Sequence, residues 1–166
     1  MDMRPFKTVN AKESNKNGGV VKRFYQDAPK EIISNELVKF SCRFSTKFST
    51  VKSSTPKPAI YSLEAQVVEN TVLCSILVSS REEKLKREEN RDLAFITKLE
   101  KLLRKHETAK LNGYYHSVSG LPSFFGSTLT ASYKSGEEIH FYDNQTCILK
   151  QDFIKELCIL FGLEDK

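Results

Sequence analysis

An α+β fold is predicted for this chain: an antiparallel sheet of about five to six strands with two helices packed on one face, in the order βββα-βββα. Three observations carry that expectation. Apolar and polar residues alternate over 38–48, 60–79 and 128–141, the period of a half-buried strand. Two other stretches, 80–107 and 151–161, place apolar residues at helical spacing. Turn formers such as Asn112-Gly113 and Ser135-Gly136 separate the segments.

Taken in order, residues 1–18 are polar and read as a flexible arm ahead of a single domain over 19–166. Val20 to Tyr25 forms a short strand, which Asp27-Ala28-Pro29 ends because proline cannot donate to a ladder. Val38, Phe40, Cys42, Phe44 and Phe48 then alternate against Lys39, Ser41, Arg43, Ser45 and Lys47. This strand has one wet face, and it is expected at the edge of the sheet, open to augmentation. Residues 52–58 are a loop by composition.

A hairpin follows. Tyr61, Leu63, Ala65 and Val67 alternate on its first strand, and Val72, Cys74, Ile76 and Val78 on its second. Asn70 is expected to supply the positive φ of the turn. Leu73 and Leu77 make the second strand apolar on both faces, which implies cover on both sides or a further contact.

Ser80 reads as the N-cap of a long helix to about residue 107, with Glu82 and Glu83 in its first turn. Leu93, Ile96, Leu99, Leu102 and Leu103 form its stripe. Residues 82–92 are almost wholly charged, so the helix should project past the sheet there.

Tyr114 to Ser119 is the next strand. In the loop after it, Gly120 and Gly126 are expected to take positive φ and Pro122 to fix a bend. Thr128–Tyr133 and Ile139–Phe141 form a hairpin about Ser135-Gly136. Asp143-Asn144-Gln145 breaks the strand, with an Asx turn available to Asp143 or Asn144. A last helix starts near Gln151 and stops at Gly162 in the C′ position. Each half therefore reads as three strands and a helix, an internal repeat in pattern, although no residues match between the halves.

The N-terminus has no apolar core of a secretory signal, and no run approaches the roughly 18 apolar residues of a membrane span, so a cytoplasmic protein with no membrane partner is expected. Cys42, Cys74, Cys147 and Cys158 sit in apolar contexts without C-x-x-C spacing, which fits buried free thiols in a reducing compartment. Net charge is +5, concentrated at the front: residues 1–57 hold 12 Lys/Arg against 5 Asp/Glu, whereas residues 111–166 hold 4 against 7. That front is either a soluble lysine-rich arm or a contact for an anionic partner.

The candidate site lies in 112–145, which holds four of the seven glycines, two of the three histidines and four of the six tyrosines. Tyr114 and His116 share a face of their strand, as do His140 and Tyr142 of theirs. If the strands are neighbours, a Tyr/His cluster lines one side of the sheet, with Phe124 and Phe125 on the loop at its rim. Such rings can stack on a base or sugar, or bond a ligand. No third metal ligand is available, because Asp143 should point to the opposite face from His140. There is no Gly-x-Ser-x-Gly, His-Glu-x-x-His, phosphate loop or dinucleotide fingerprint.

The expected function is therefore a non-enzymatic binding or protein-interaction module without cofactor or metal, with self-association as one form of it. Two alternatives stand beside it. One is a single-stranded nucleic-acid binder using the Tyr/His face, in keeping with a pI near 9.0. The other is an enzyme with a dispersed site. Turn chemistry and a half-solvated sheet face account for the same residues without any ligand.

Gly113, Ser119-Gly120-Leu121-Pro122, Phe125-Gly126, Tyr133, Ser135-Gly136-Glu137 and Asp143-Asn144-Gln145 together resemble a pattern found in a family of small uncharacterised bacterial proteins. The resemblance spans the last half of the chain. It implies a shared fold and carries no activity.

Overall fold

The computed structural model describes residues 19–47, 57–120 and 124–163. The predicted arm 1–18, Phe48, most of the 52–58 loop and Pro122 lie outside the described residues. The strands are β1 Val20–Phe24, β2 Leu37–Ser45, β3 Ile60–Val68, β4 Thr71–Ser79, β5 Lys84–Arg91, β6 Tyr114–Val118, β7 Ser127–Tyr133 and β8 Glu138–Asp143. The helices are α1 Leu93–Lys105 and α2 Gln151–Leu160, and a 3-10 turn covers Thr108–Leu111. The fold is α+β, as expected. The sheet has eight strands rather than five or six, in the order β1-β6-β8-β7-β2-β3-β4-β5, and β6 runs parallel to β8, so it is mixed rather than antiparallel.

One of the added strands, β5, comes from the charged run that the sequence placed in a helix. Ser80 Oγ accepts from the backbone N–H groups of Glu82 and Glu83, at 3.3 and 3.0 Å, and Ser80 N–H bonds Glu83 O. These bonds close a tight turn, and residues 84–91 return antiparallel along β4. Without β5, the doubly apolar β4 would be a long open edge; a charged strand blunts that hazard. Arg87, Glu89 and Arg91 face the helix side, opposite Ile76, Cys74 and Val72. Glu89 lies 3.4 Å from Arg87 and 2.6 Å from Arg91, and Arg87 Nη2 donates to Phe161 O, just past α2, at 2.7 Å. The true helix start is Asp92, whose carboxylate accepts from Phe95 N–H at 3.2 Å.

The alternating strand β2 is central rather than an edge: β7 and β3 flank it. Phe40, Phe44, Leu63, Ile76, Leu129 and Phe141 form one core with Leu99 and Leu103 of α1 and Phe153, Ile154 and Leu157 of α2, so both helices cover the same face. Each such side chain contributes about 1.5–3 kcal/mol on burial. Phe161 closes the core edge-on to Phe95, with ring centroids 5.1 Å apart. Gly162 ends α2 as expected: its N–H bonds Ile159 O and that of Leu163 bonds Cys158 O, the Schellman pattern. The positive φ of the β3–β4 turn falls on Glu69, at 55°, rather than on Asn70. Five strands precede α1 and three precede α2, so the halves are not copies of one unit. None of the four cysteines is in a disulfide; three are buried and Cys147 is half-buried. No helix among the described residues is long and apolar enough to cross a membrane.

Candidate binding face

The parallel β6–β8 pair decides where the tyrosines and histidines go. Asn112 anchors the entry to β6. Its side chain donates to Pro29 O and Glu138 O, each at 2.9 Å, and accepts from His140 N–H at 2.8 Å. Asn144 extends the far end of the ladder, because its side-chain amide exchanges two 2.8 Å bonds with the backbone of Val118. Gly126 brings the loop against β8. It does so by close approach and not by positive φ, because a Cβ there would sit 1.7 Å from Asp143 O. Gly120 does have a positive φ, of 80°.

In this register Tyr115 stands opposite Tyr142, and His116 opposite Asp143. The expected shared face of Tyr114, His116, His140 and Tyr142 therefore does not form. Tyr114 and His116 point to the helix side, and His140 and Tyr142 to the other. The physical reason is parity: a shift of one residue between neighbouring strands exchanges the faces of every side chain.

On the helix side Asp143 is a saturated buried hub. Its Oδ2 accepts from His116 Nδ1 at 3.2 Å and from the Tyr114 hydroxyl at 3.3 Å. Its Oδ1 accepts from the backbone of Gln145 and Thr146, each at 2.8 Å, which is the Asx turn expected there. Burial first, then the charge of Asp143, pushes the Tyr114 phenol up. Asp143 thus shares a face with His116 and not with His140. Among the described residues no group of three or more His, Cys, Asp or Glu side chains could hold a metal.

The opposite side of the sheet is covered by no helix or strand among the described residues. The pairings align one row across it: Arg23, Tyr115, Tyr142, Thr128, Arg43, Ser62, Leu77 and Lys86. Tyr115 and Tyr142 stack with centroids 5.1 Å apart and planes 20° from parallel. The Arg43 guanidinium lies 4.4 Å from the centre of the Phe124 ring. Four strand spacings separate Arg23 from Arg43, about 19 Å at the usual interval. In the next row His140 Nδ1 and Thr130 Oγ1 are 2.9 Å apart. Phe125 departs from this face. It lines a separate cleft of about 700 Å3 with Lys47, Lys57, Pro58 and residues 80–83.

Sequence reasoning missed Tyr115, Arg23 and Arg43 as members of this face. Their own strands were legible. The missing information was which strands are neighbours and in what parity. Comparison with protein-family models, curated proteins and solved structures finds no match to this chain.

Proposed function

We propose that this chain is a non-enzymatic module that docks a partner protein on its uncovered sheet face, centred on the Tyr115–Tyr142 pair. The observation that carries this reading is the stacked pair between two guanidinium groups, with Phe124 over Arg43. Tyrosine and arginine are the residues that most often anchor protein interfaces. The charge of the face favours protein over single-stranded nucleic acid. Lys39 and Arg43 share it with Glu64 and Glu138, whereas a backbone-tracking groove needs cations of one sign. The Tyr rings also stack on each other, which takes one ring face of each away from a base. Four cysteines outside any disulfide support a reducing, cytoplasmic setting for this role.

The test compares the wild type with a Tyr115→Ser/Tyr142→Ser/Arg43→Glu variant as bait, after circular dichroism has shown both folded. Quantitative mass spectrometry should find at least one protein that binds the wild type stoichiometrically and loses the variant by tenfold or more, about 1.4 kcal/mol. Proteins retained equally by both baits would sink the proposal. So would anisotropy showing mixed-sequence single-stranded RNA or DNA bound below roughly ten micromolar at low salt, which would hand the face to nucleic acid.

A further inference from the structure

A second concave feature lies on the helix side, far from the Tyr115–Tyr142 row. The C-terminal half of α1, segment 30–32, the Thr108–Leu111 turn and the ends of β7 and β8 line a half-open cavity of about 280 Å3. That is close to the lower bound of small-molecule sites. Two polar groups meet it without spending their bonding capacity. Glu100 is a carboxylate whose side chain is only 6% exposed. Its Oε1 accepts from Arg104 Nε at 3.0 Å and Nη2 at 2.7 Å, while no donor among the described residues reaches Oε2. Tyr133, also in the wall, is 5% exposed, and its hydroxyl makes no hydrogen bond among the described residues. A carboxylate oxygen and a phenol O–H that make no hydrogen bond within the protein are available to a molecule in the cavity.

Apart from Glu31, which is exposed, the other polar side chains in the wall are already engaged. Arg104 also donates to Ile32 O and Ser34 O, both at 3.1 Å. Lys30 Nζ donates to Asn112 O and Tyr25 O. Lys110 pairs with Glu107 at 2.5 Å. The floor is apolar, with Leu103 and Ala109. The charged lining is Lys30, Arg104 and Lys110 against Glu31, Glu100 and Glu107, so formal charge cancels.

We infer that this cavity binds a small neutral molecule carrying a hydroxyl group on a compact apolar body. One hydroxyl satisfies both walls at once: it donates to Glu100 Oε2 and accepts from the Tyr133 O–H. Burial first, then the charge of Glu100, pushes the Tyr133 phenol up to about 12, so it remains a donor at neutral pH. A carboxylate ligand meets the charge of Glu100. An ammonium ligand can donate to Oε2 but leaves the phenol proton without an acceptor. This site is independent of the docking face and stands or falls separately.

Amide-resolved NMR titrations of the full chain with cyclohexanol, cyclohexylammonium and cyclohexanecarboxylate test it. Cyclohexanol should produce saturable shifts at residues 100–110 and 133 at roughly millimolar concentration. The two charged analogues should bind more weakly, by about fivefold or more each. Tyr133→Phe removes a hydroxyl that holds nothing in the fold, so it should stay folded and bind cyclohexanol about fivefold more weakly. The inference is overturned if cyclohexanol gives no saturable shift, if it binds no better than its charged analogues, or if Tyr133→Phe binds it as well as the wild type.

Discussion

The ring of Tyr115 stacks on that of Tyr142 across the parallel β6–β8 pair, 5.1 Å between centroids, on the side of the sheet away from both helices. These residues are partners because Asn112 and Asn144 pin the two ends of a short ladder with side-chain bonds. An aromatic pair of this geometry adds to stability beyond the area it buries. A double-mutant cycle of Tyr115→Ala and Tyr142→Ala, read by urea unfolding, should give a coupling of about 0.5–1.5 kcal/mol. Additive single effects would mean the stacked pair is not formed.

Gly126 should be among the least replaceable positions in the chain. Any side chain there meets the backbone carbonyl of Asp143, and backbone cannot move aside cheaply. Gly126→Ala should cost about 3 kcal/mol or more. Gly136 is the control: its φ is 89° but a Cβ would meet nothing within 4 Å, so Gly136→Ala should cost only about 1 kcal/mol. Equal losses in thermal unfolding would contradict the close approach.

The start of α1 can be located by its cap. Asp92→Ala should destabilise the protein by about 1 kcal/mol, since it removes the side-chain acceptor for Phe95 N–H and leaves only the Asp92 carbonyl. Ser80→Ala affects only an exposed turn and should stay within about 0.5 kcal/mol. The reverse ranking would restore a helix beginning at residue 80.

Acid should weaken the joint between the helices. Lys105 donates to both oxygens of Glu156, at 2.7 and 2.8 Å, and His106 Nε2 lies 3.3 Å away. The Lys105 bond, chiefly, holds the Glu156 carboxyl below its ordinary value of 4.5. A carboxylate with a depressed value contributes stability above its unfolded pKa and loses it as pH falls through the folded one. The side chain of Glu156 is 36% exposed, so the pair is worth only about 0.2–1 kcal/mol. Glu156→Gln should be less stable than wild type by that margin at neutral pH, and the gap should close by about pH 3. A gap unchanged between those pH values in urea titrations would rule the pair out.

Much of the architecture was legible because it is written in neighbouring residues. The period-two runs of β2, β3, β4 and β7 and the helical stripe of Leu93 to Leu103 each report one local conformation. The charged run 84–91 carries no apolar period of its own, so its strand is not legible in the local pattern. It is a strand only because β4 offers an apolar edge to cover. Phe125 was placed beside Phe124 for a similar reason, since adjacency along a loop says nothing about which cleft each ring enters.

The sequence by itself determined an α+β chain, its two helical stretches, most of its strands, the cap at Gly162 and the concentration of rings between residues 112 and 145. These follow from local sterics and from the 3.6 and 2.0 periods of side-chain direction. Only the tertiary structure decided that β2 is central, that β6 runs parallel to β8, and that Tyr115 rather than Tyr114 joins Tyr142. It alone placed Tyr133 and Glu100 in the wall of one cavity. Those outcomes depend on pairing between residues tens of positions apart, where a one-residue change of register reverses a face without altering the local pattern.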